Sequence, residues 1–155
     1  MNIKRKTKIF KSAFIHLKLT YLFSATAILI VLLIFGINFI KFKRMCINGA
    51  CIRVEVVSCE QARQKGLMSR KSLGPNNGMF FVFTKEDYHG FWMKNMEFPL
   101  DIIWIGPDKK IVDIYHNALP CRDNTCNIIL PRYPAIFVLE LNAGFVRTHG
   151  INIGD

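Results

Sequence analysis

The longest hydrophobic run in the chain lies near its N-terminus. Residues 19–40, LTYLFSATAILIVLLIFGINFI, contain no charged side chain. At about 1.5 Å of rise per residue, a helix of this length spans the roughly 30 Å hydrocarbon core of a bilayer. A cleavable signal peptide has an apolar core of only about 7 to 15 residues, and here Lys41, Lys43 and Arg44 follow the run. The pattern therefore predicts one uncleaved transmembrane helix over residues 19–40.

Beyond this run the hydrophobic pattern predicts a series of short strands. Residues 51–57, CIRVEVV, alternate apolar and polar positions, which is typical of a half-buried strand. The apolar run MFFVF at 79–83 is short enough for a buried strand. DIIWI and IVDIYH flank the turn GPDKK and predict a β-hairpin over residues 101–116. AIFVLEL, residues 135–141, is apolar on both faces and predicts a central strand.

Two short helices are predicted between and after these strands. In SCEQARQKG, Ser58 is an N-cap candidate with Gln61 three residues later, and Gly66 is the predicted helix end. Asn142 is predicted to cap a second short helix that ends at Gly150. These elements together predict an α+β, mainly antiparallel domain whose sheet forms a closed or partly closed barrel.

The net charge of +10 comes almost entirely from the N-terminal part of the chain. Residues 1–44 contain nine Lys or Arg and no acid, whereas residues 45–155 contain twelve Lys or Arg and eleven acids. The nearly neutral second part argues against nucleic-acid binding. Six positive residues precede the predicted span and three follow it, which favours a cytoplasmic N-terminus. We therefore predict a basic cytoplasmic tail and anchor over 1–44 and an extracytoplasmic β-rich domain over 45–155.

All five cysteines follow the predicted span, as expected of a domain in an oxidising compartment. Two pairs, Cys46 with Cys51 and Cys121 with Cys126, each enclose four residues. Local disulfides in these pairs leave Cys59 free, although the sequence alone leaves other pairings open. Four thiols also raise the alternative of a zinc site. Structural zinc usually takes ligands two to four residues apart, so disulfides are favoured and no metal is predicted.

Residues 91–101, FWMKNMEFPLD, form an unusual local sequence. If the segment starts as a strand, Trp92 and Lys94 lie on the face opposite to Asn95. In a structural interpretation, the lysine stem lies along the Trp92 ring in a cation–π contact. In a functional interpretation, Trp92, Lys94 and Asn95 form the floor of a pocket for an anionic or sugar-like ligand, and Asp101 orients Lys94.

Glu140 lies within the apolar strand predicted over residues 135–141. Because burial of a lone carboxylate is costly, this residue needs a cationic partner or a shifted pKa. Lys94 and Arg70 are the candidate partners. A structural ion pair and a catalytic acid are both consistent with the pattern. The sequence contains no Gly-rich phosphate loop, nucleophile elbow or paired catalytic carboxylates, so no cofactor and no catalytic residue set is predicted.

The order of motifs along the chain resembles the domain of unknown function 192, also called uncharacterised protein family 0127, over residues 52–155. The motifs are GLMSR at 66–70, GMFFVF at 78–83, FWMKN at 91–95, PLDIIWI at 99–105, ALPC at 118–121, VLELNAGF at 138–145 and GINIGD at 150–155. The resemblance implies a small β-rich domain behind a signal or single membrane helix in bacteria or archaea, here at a bacterial inner membrane with the domain periplasmic. It implies no established activity. Seven residues inside the motifs become candidate ligand-binding residues: Arg70, Trp92, Lys94, Asn95, Asp101, Glu140 and Asn142.

Three functions are consistent with these observations. The first is a module that binds a ligand or a protein of the cell envelope through the face around Trp92 and Lys94. The second is an envelope enzyme, a hydrolase or transferase acting on a polysaccharide-type substrate, with Glu140 or Asp101 as acid or base. The third is an assembly module. Relatives usually continue past the final GD into another strand, so a sequence that stops at Asp155 is expected to leave a sheet edge open for a partner.

Overall fold

The computed structural model describes residues 41–121 and 126–155, together with Ser24 and residues 26–28. The chain divides into two compact units, Met1–Phe39 and Ile40–Asp155. Among the described residues, no helix has the length and apolar character needed to cross a membrane. The predicted span over 19–40 lies outside the described residues except for Ser24 and 26–28, so the anchor stays a prediction.

The second unit is built on an open, six-stranded mixed sheet with the strand order β1-β2-β3-β6-β4-β5. The strands are β1 Lys41–Ile47, β2 Ala50–Val57, β3 Asn77–Asp87, β4 Leu100–Ile105, β5 Ile111–Ala118 and β6 Ala135–Asn142. Neighbouring strands are antiparallel except for the parallel pair β2 and β3. Two short helices accompany them, α1 Glu60–Lys65 and α2 Phe145–Thr148. The predicted α+β, mainly antiparallel class is confirmed.

The predicted closure of the sheet into a barrel is wrong. Strands β1 and β5 end the strand order and do not pair with each other. The edge at β5 is partly covered, because the amide of Ile111 donates to the carbonyl of Asp155 (3.1 Å) and the amide of Gly154 donates to the carbonyl of Ile111 (2.9 Å). The edge at β1 has one sheet neighbour, β2.

The predicted strands over 51–57, 79–83 and 135–141 are confirmed, and so is the hairpin over 101–116, which forms β4 and β5. Strand β6 is central, as predicted, because it pairs with β3 on one side and β4 on the other. Strand β1 is not predicted by the pattern. It forms a hairpin with β2 through Asn48 and Gly49, which both have positive φ, as a two-residue Asn-Gly hairpin turn requires.

Both predicted helices exist, but their N-caps differ from the prediction. Cys59, not Ser58, precedes α1, and its side chain makes no capping hydrogen bond. The predicted helix end at Gly66 is confirmed; its positive φ of 47° reverses the chain there. Gly144 precedes α2. Asn142 is not a cap, because β6 continues through it and pairs it with Leu100.

Residues 91–95 are not a regular strand, contrary to the prediction. They make two isolated bridges, Phe91 with Ile129 and Lys94 with Cys121. Asn95 has a positive φ of 56°, which interrupts the extended backbone. The segment therefore crosses one face of the sheet without joining it.

Alternate side chains of the sheet pack into two hydrophobic clusters, one on each face. Along β6, Val138 belongs to one cluster and Leu139 to the other, which explains why this strand is apolar on both faces. The first cluster, called here the pocket-side cluster, includes Leu67, Met79, Phe81, Ile102 and Trp104. The second includes Ile52, Val54, Ile103, Leu141 and Val146. The described residues 41–121 and 126–155 thus contain all six strands and both clusters.

The predicted disulfide pairs are confirmed. The sulfur atoms of Cys46 and Cys51 lie 2.06 Å apart, and those of Cys121 and Cys126 lie 2.10 Å apart. The first bond closes the β1–β2 hairpin, since the two cysteines are Cα partners in its register. Cys59 is free and exposed.

Candidate functional site

A cavity of about 310 Å³ lies on the pocket-side face of the sheet, between α1, the turn that follows it and the segment 90–96. We call it the α1 pocket. Its walls are mostly apolar and include Leu67, Met68, Phe81, Phe91, Trp92 and Met96. The polar residues Glu60, Gln64 and Lys65 of α1 are exposed and line its outer margin, whereas Glu140 is buried on β6. Arg63 of α1 also lines the pocket and is half-buried. Among the described residues, the pocket is therefore a mostly apolar space with polar α1 residues at its margin and one fully buried carboxyl, that of Glu140.

The wall formed by segment 90–96 is held by backbone bonds and aromatic contacts. Phe91 exchanges two backbone hydrogen bonds with Ile129, at 2.9 and 2.7 Å. Its ring meets the rings of Phe81 and Trp104 edge to face, with centroids 4.9 and 6.1 Å apart. The indole N–H of Trp104 donates to the carbonyl of His89 at 2.8 Å. These contacts fix the wall against β3 and β4.

Glu140 is the buried polar group of the α1 pocket. Its neighbours in the strand register are Met79 on β3 and Ile102 on β4, both apolar. The side chain is 5% exposed, and its Oε2 atom has no hydrogen-bond partner among the described residues. Burial raises the pKa of Glu140 to about 8, and the charge of Arg70 opposes this only in part. Glu140 therefore carries a proton at neutral pH and can donate a hydrogen bond into the pocket.

Arg70, a predicted partner of Glu140, binds a different carboxylate. Its Nη2 atom donates to Oε2 of Glu55 at 2.7 Å. Glu55, Met79 and Glu140 are successive register partners across β2, β3 and β6 and share one face. Strands lie about 4.8 Å apart, so the Glu55 and Glu140 backbones are on the order of 10 Å apart. Arg70 therefore neutralises Glu55, and in the described part of the chain Glu140 has no ion pair.

Trp92 and Lys94 form the predicted cation–π contact. The Lys94 Nζ atom lies 5.7 Å from the centroid of the Trp92 ring. Trp92 is 45% exposed and lines the α1 pocket, whereas Lys94 does not line it. The carbonyl of Asn95 accepts a hydrogen bond from the amide of Ser69 at 2.8 Å. Trp92 is thus part of the pocket, and Asn95 holds the turn after α1 against segment 90–96.

Asp101 and Asn142 lie away from the α1 pocket and bind backbone groups. The Asp101 carboxylate is fully buried and accepts from the amides of Asn117 and Val146, each at 3.0 Å. It therefore ties β5 and α2 to β4, and it does not orient Lys94. The Nδ2 atom of Asn142 donates to the carbonyls of Leu73 and Gly74, at 3.2 and 3.0 Å. Both residues satisfy buried backbone groups.

Several pocket residues are absent from the sequence-based candidates. Leu67, Phe81, Phe91 and Met96 form the walls, and Glu55 holds Arg70. The aromatic and aliphatic residues look like ordinary core residues in the sequence. Glu55 lies on the polar positions of the predicted strand 51–57, but only the register of β2 with β3 places it near Arg70 and Glu140.

Comparisons with other proteins give a family but no activity. The family model DUF192, described as "Uncharacterized ACR", matches residues 43–155. A search of curated proteins finds no match. One similar solved structure, described as a "putative transcription regulator" from Sinorhizobium meliloti 1021, is 39% identical, with a TM-score of 0.63, and the match covers 68% of this chain and 79% of that one.

A second solved structure is a protein of unknown function from Novosphingobium aromaticivorans DSM 12444. It is 33% identical, with a TM-score of 0.67, and the match covers 77% of this chain and 86% of that one. The aligned domain makes up most of both solved chains, so a fragment that contains the whole sheet is expected to fold by itself. The extent of the family match, together with these two structures, shows that the chain belongs to the DUF192 family.

Proposed function

We propose that residues 41–155 form a ligand-binding domain that an N-terminal membrane helix holds on the periplasmic side of a bacterial inner membrane. The binding function rests on one observation, the mostly apolar α1 pocket with the buried carboxyl of Glu140, whose Oε2 atom has no partner among the described residues. Ligand pockets of about 300 to 1,000 Å³ with apolar walls and a few convergent polar groups are typical of small-molecule sites. At about 310 Å³ the pocket lies at the lower end of this range and suits a compact, mostly apolar ligand of up to about three rings.

The placement of the domain is supported by its disulfides and its charge. Two disulfides are expected to persist in an oxidising compartment and not in the cytosol.

The description as a transcription regulator belongs to the Sinorhizobium protein, and the charge of this chain does not support the same role here. Residues 45–155 contain twelve basic and eleven acidic residues, whereas nucleic-acid binders carry a basic excess on the binding domain.

Dye binding tests the pocket. The uncharged fluorescent dye N-phenyl-1-naphthylamine is titrated into the fragment 41–155, produced under oxidising conditions. We expect an increase in dye fluorescence that Met68→Trp removes, because the larger ring fills the pocket. The matched control is Met45→Trp, since Met45 packs against the cluster on the other face of the sheet. Equal dye binding by both variants, or none by the wild type, contradicts the proposal.

Thiol labelling of the full chain tests the placement, because Cys59 is free and exposed. A membrane-impermeant maleimide is added to spheroplasts of a Gram-negative host. We expect labelling of the wild type without lysis and none of Cys59→Ser. A cytosolic thiol protein, which reacts only after lysis, is the control. Labelling of Cys59 only after lysis places the domain in the cytosol and rejects this part of the proposal.

An enzyme that uses Glu140 as general acid is the second candidate, favoured by the raised pKa of this residue. Glycoside hydrolysis needs a second carboxyl across the substrate. Asp101 has both oxygens bound to backbone amides, and Glu55 is paired with Arg70 and does not line the pocket. Glu60 lines the outer margin, but it is exposed and both of its oxygens accept from side chains of α1, Arg63 and Gln64. Binding is therefore the better-supported function. If the wild type turns over a chromogenic glycoside and Glu140→Gln does not, catalysis becomes the better-supported function.

A further inference from the structure

The Glu140 carboxyl determines which polar group a ligand needs, provided that the α1 pocket binds ligands as proposed. Glu140 is 95% buried, counted from its 5% exposure, and its Oε2 atom has no partner among the residues that the structure describes. Its register neighbours Met79 and Ile102 offer no polar atom beyond a thioether. A buried hydrogen-bonding group without a partner is costly. A ligand that supplies the missing partner therefore gains affinity at this position.

Among the described residues, the arginines near the pocket are bound to other groups, and the lysine at its margin is exposed to solvent. Arg70 is paired with Glu55 at 2.7 Å. Arg63 donates to the carbonyls of Ser58 and Val82, at 2.6 and 3.0 Å, and pairs with Glu60 at 2.6 Å. Lys65, at the outer margin, is exposed to solvent. Within residues 41–121 and 126–155, the carboxyl of Glu140 thus has no ion pair that holds it ionised, and its surroundings favour the neutral acid.

These surroundings also exclude charged ligands. The apolar part of the lining includes Leu67, Phe81, Phe91 and Met96. Of the two described cations that line the pocket, Arg63 is paired with Glu60 and Lys65 is exposed to solvent. A charge on a ligand held at Glu140 is therefore desolvated without a compensating ion pair. We infer that the α1 pocket selects an uncharged, ring-sized ligand with a hydrogen-bond acceptor, such as a ketone, ether or amide oxygen, which accepts from the Glu140 O–H group. This inference names the ligand class of the proposed binding function and rests on it.

Four ring-sized probes of similar shape test the inference on the fragment 41–155. They are acetophenone, which has an acceptor, ethylbenzene, which has none, and the charged probes benzoate and benzylammonium. Binding is followed at mildly acidic pH by the NMR signal of the Trp92 indole N–H group, since Trp92 lines the pocket. The measured quantity is the affinity for acetophenone divided by that for ethylbenzene, which cancels differences in pocket shape between variants.

We expect this affinity ratio to fall at least about fivefold in Glu140→Leu, because a ketone buried without a donor loses about one hydrogen bond or more. Glu140→Gln keeps an N–H donor and is expected to retain most of the ratio. Glu86→Leu, at an exposed position of β3, is the matched control and is expected to keep the wild-type ratio. Neither charged probe is expected to bind more tightly than acetophenone.

An unchanged ratio in Glu140→Leu overturns the inference, as does tighter binding of benzoate or benzylammonium. If N-phenyl-1-naphthylamine binds in the pocket and none of the four probes does, the pocket binds ligands but the inferred class is wrong. If the dye and the probes all fail to bind, the proposed function itself is wrong. The two failures are therefore distinguishable.

Discussion

Replacing Glu140 with leucine is expected to stabilise the domain, increasingly so at higher pH. Burial raises the pKa of Glu140 from its ordinary value of 4.5 to about 8. The unfolded chain releases this proton near the ordinary value, whereas the folded chain keeps it. The stability that the bound proton gives is therefore fully present below the unfolded pKa and is lost as pH rises through the folded pKa. The slope is at most about 1.4 kcal/mol per pH unit and falls off near each pKa, so the loss is about 3 kcal/mol between about pH 5 and pH 8.

Urea denaturation of the fragment 41–155 across this pH range measures the effect. The free energy of unfolding of Glu140→Leu minus that of the wild type is expected to grow by about 3 kcal/mol from about pH 5 to pH 8. Glu140→Gln also removes the titrating group, so its free energy of unfolding relative to the wild type is expected to grow with pH by the same amount. Because it leaves a buried amide, its free energy of unfolding is expected to stay below that of Glu140→Leu at every pH. Glu86→Gln, at an exposed site, is the control for the loss of one carboxylate.

Parallel pH profiles for the wild type and Glu140→Leu refute the reasoning. They indicate that Glu140 titrates near its ordinary pKa, and the neutral acid in the pocket is then excluded. The carboxyl ¹³C chemical shift of Glu140 gives an independent reading of the same pKa. A midpoint below about pH 6 also rejects the neutral acid, since most of the group is then ionised at neutral pH.

Three further predictions concern groups outside the pocket. Asp101→Asn replaces one of two accepting carboxylate oxygens with an amide NH2 group, which cannot accept from a backbone N–H, and is expected to cost about 2 kcal/mol in urea denaturation. Gly78→Ala places a Cβ atom 2.8 Å from Leu141 Cδ2 and 2.9 Å from a backbone oxygen, so we expect a lower Tm and a loss of about 1–3 kcal/mol. Burial pushes the pKa of Asp113 up, but hydrogen bonds from Arg132 outweigh this and lower it. The wild-type advantage in Tm over Arg132→Gln is therefore expected to shrink as pH falls through the acid range, because the paired carboxylate becomes protonated.

The strands that the sequence predicts correctly are those with a strong local pattern. The β4–β5 hairpin and central β6 are apolar and bounded by turn residues, so local sequence suffices. Strand β1 was missed because Lys41, Lys43 and Arg44 resemble the basic flank of a membrane helix. The Asn-Gly turn after β1 was the available signal for its hairpin. The open sheet was not predictable, because strand order and the parallel β2–β3 pair depend on contacts between distant residues.

The candidate site is predicted only in part, because the sequence reveals only those site residues that are unusual in their local surroundings. Trp92 and Glu140 are candidates from the sequence because an aromatic ring beside a lysine and an asparagine, and a carboxyl within an apolar strand, are both locally unusual. Asp101 and Asn142 also looked unusual, yet each binds backbone groups that only the fold brings within reach. The pocket walls have the composition of a core. Phe81 was therefore predicted as part of a buried strand, and no local signal separates a wall from a core.

The free-energy cost of burying the Glu140 carboxyl favours a ligand-binding role for the α1 pocket. The hairpin turn, the helix end and the disulfides are each consistent with the fold. Glu140, in contrast, has a buried oxygen with no partner among the described residues, and it lowers the stability of the domain at neutral pH. A loss of about 3 kcal/mol is a large share of the stability of a small domain. Departures from local consistency are expected at functional sites. A ligand that accepts from the protonated carboxyl removes the unpartnered group and also raises the pKa of Glu140 further. Proton and ligand then bind cooperatively, so ligand affinity is expected to fall as pH rises above about 8, where the acid ionises.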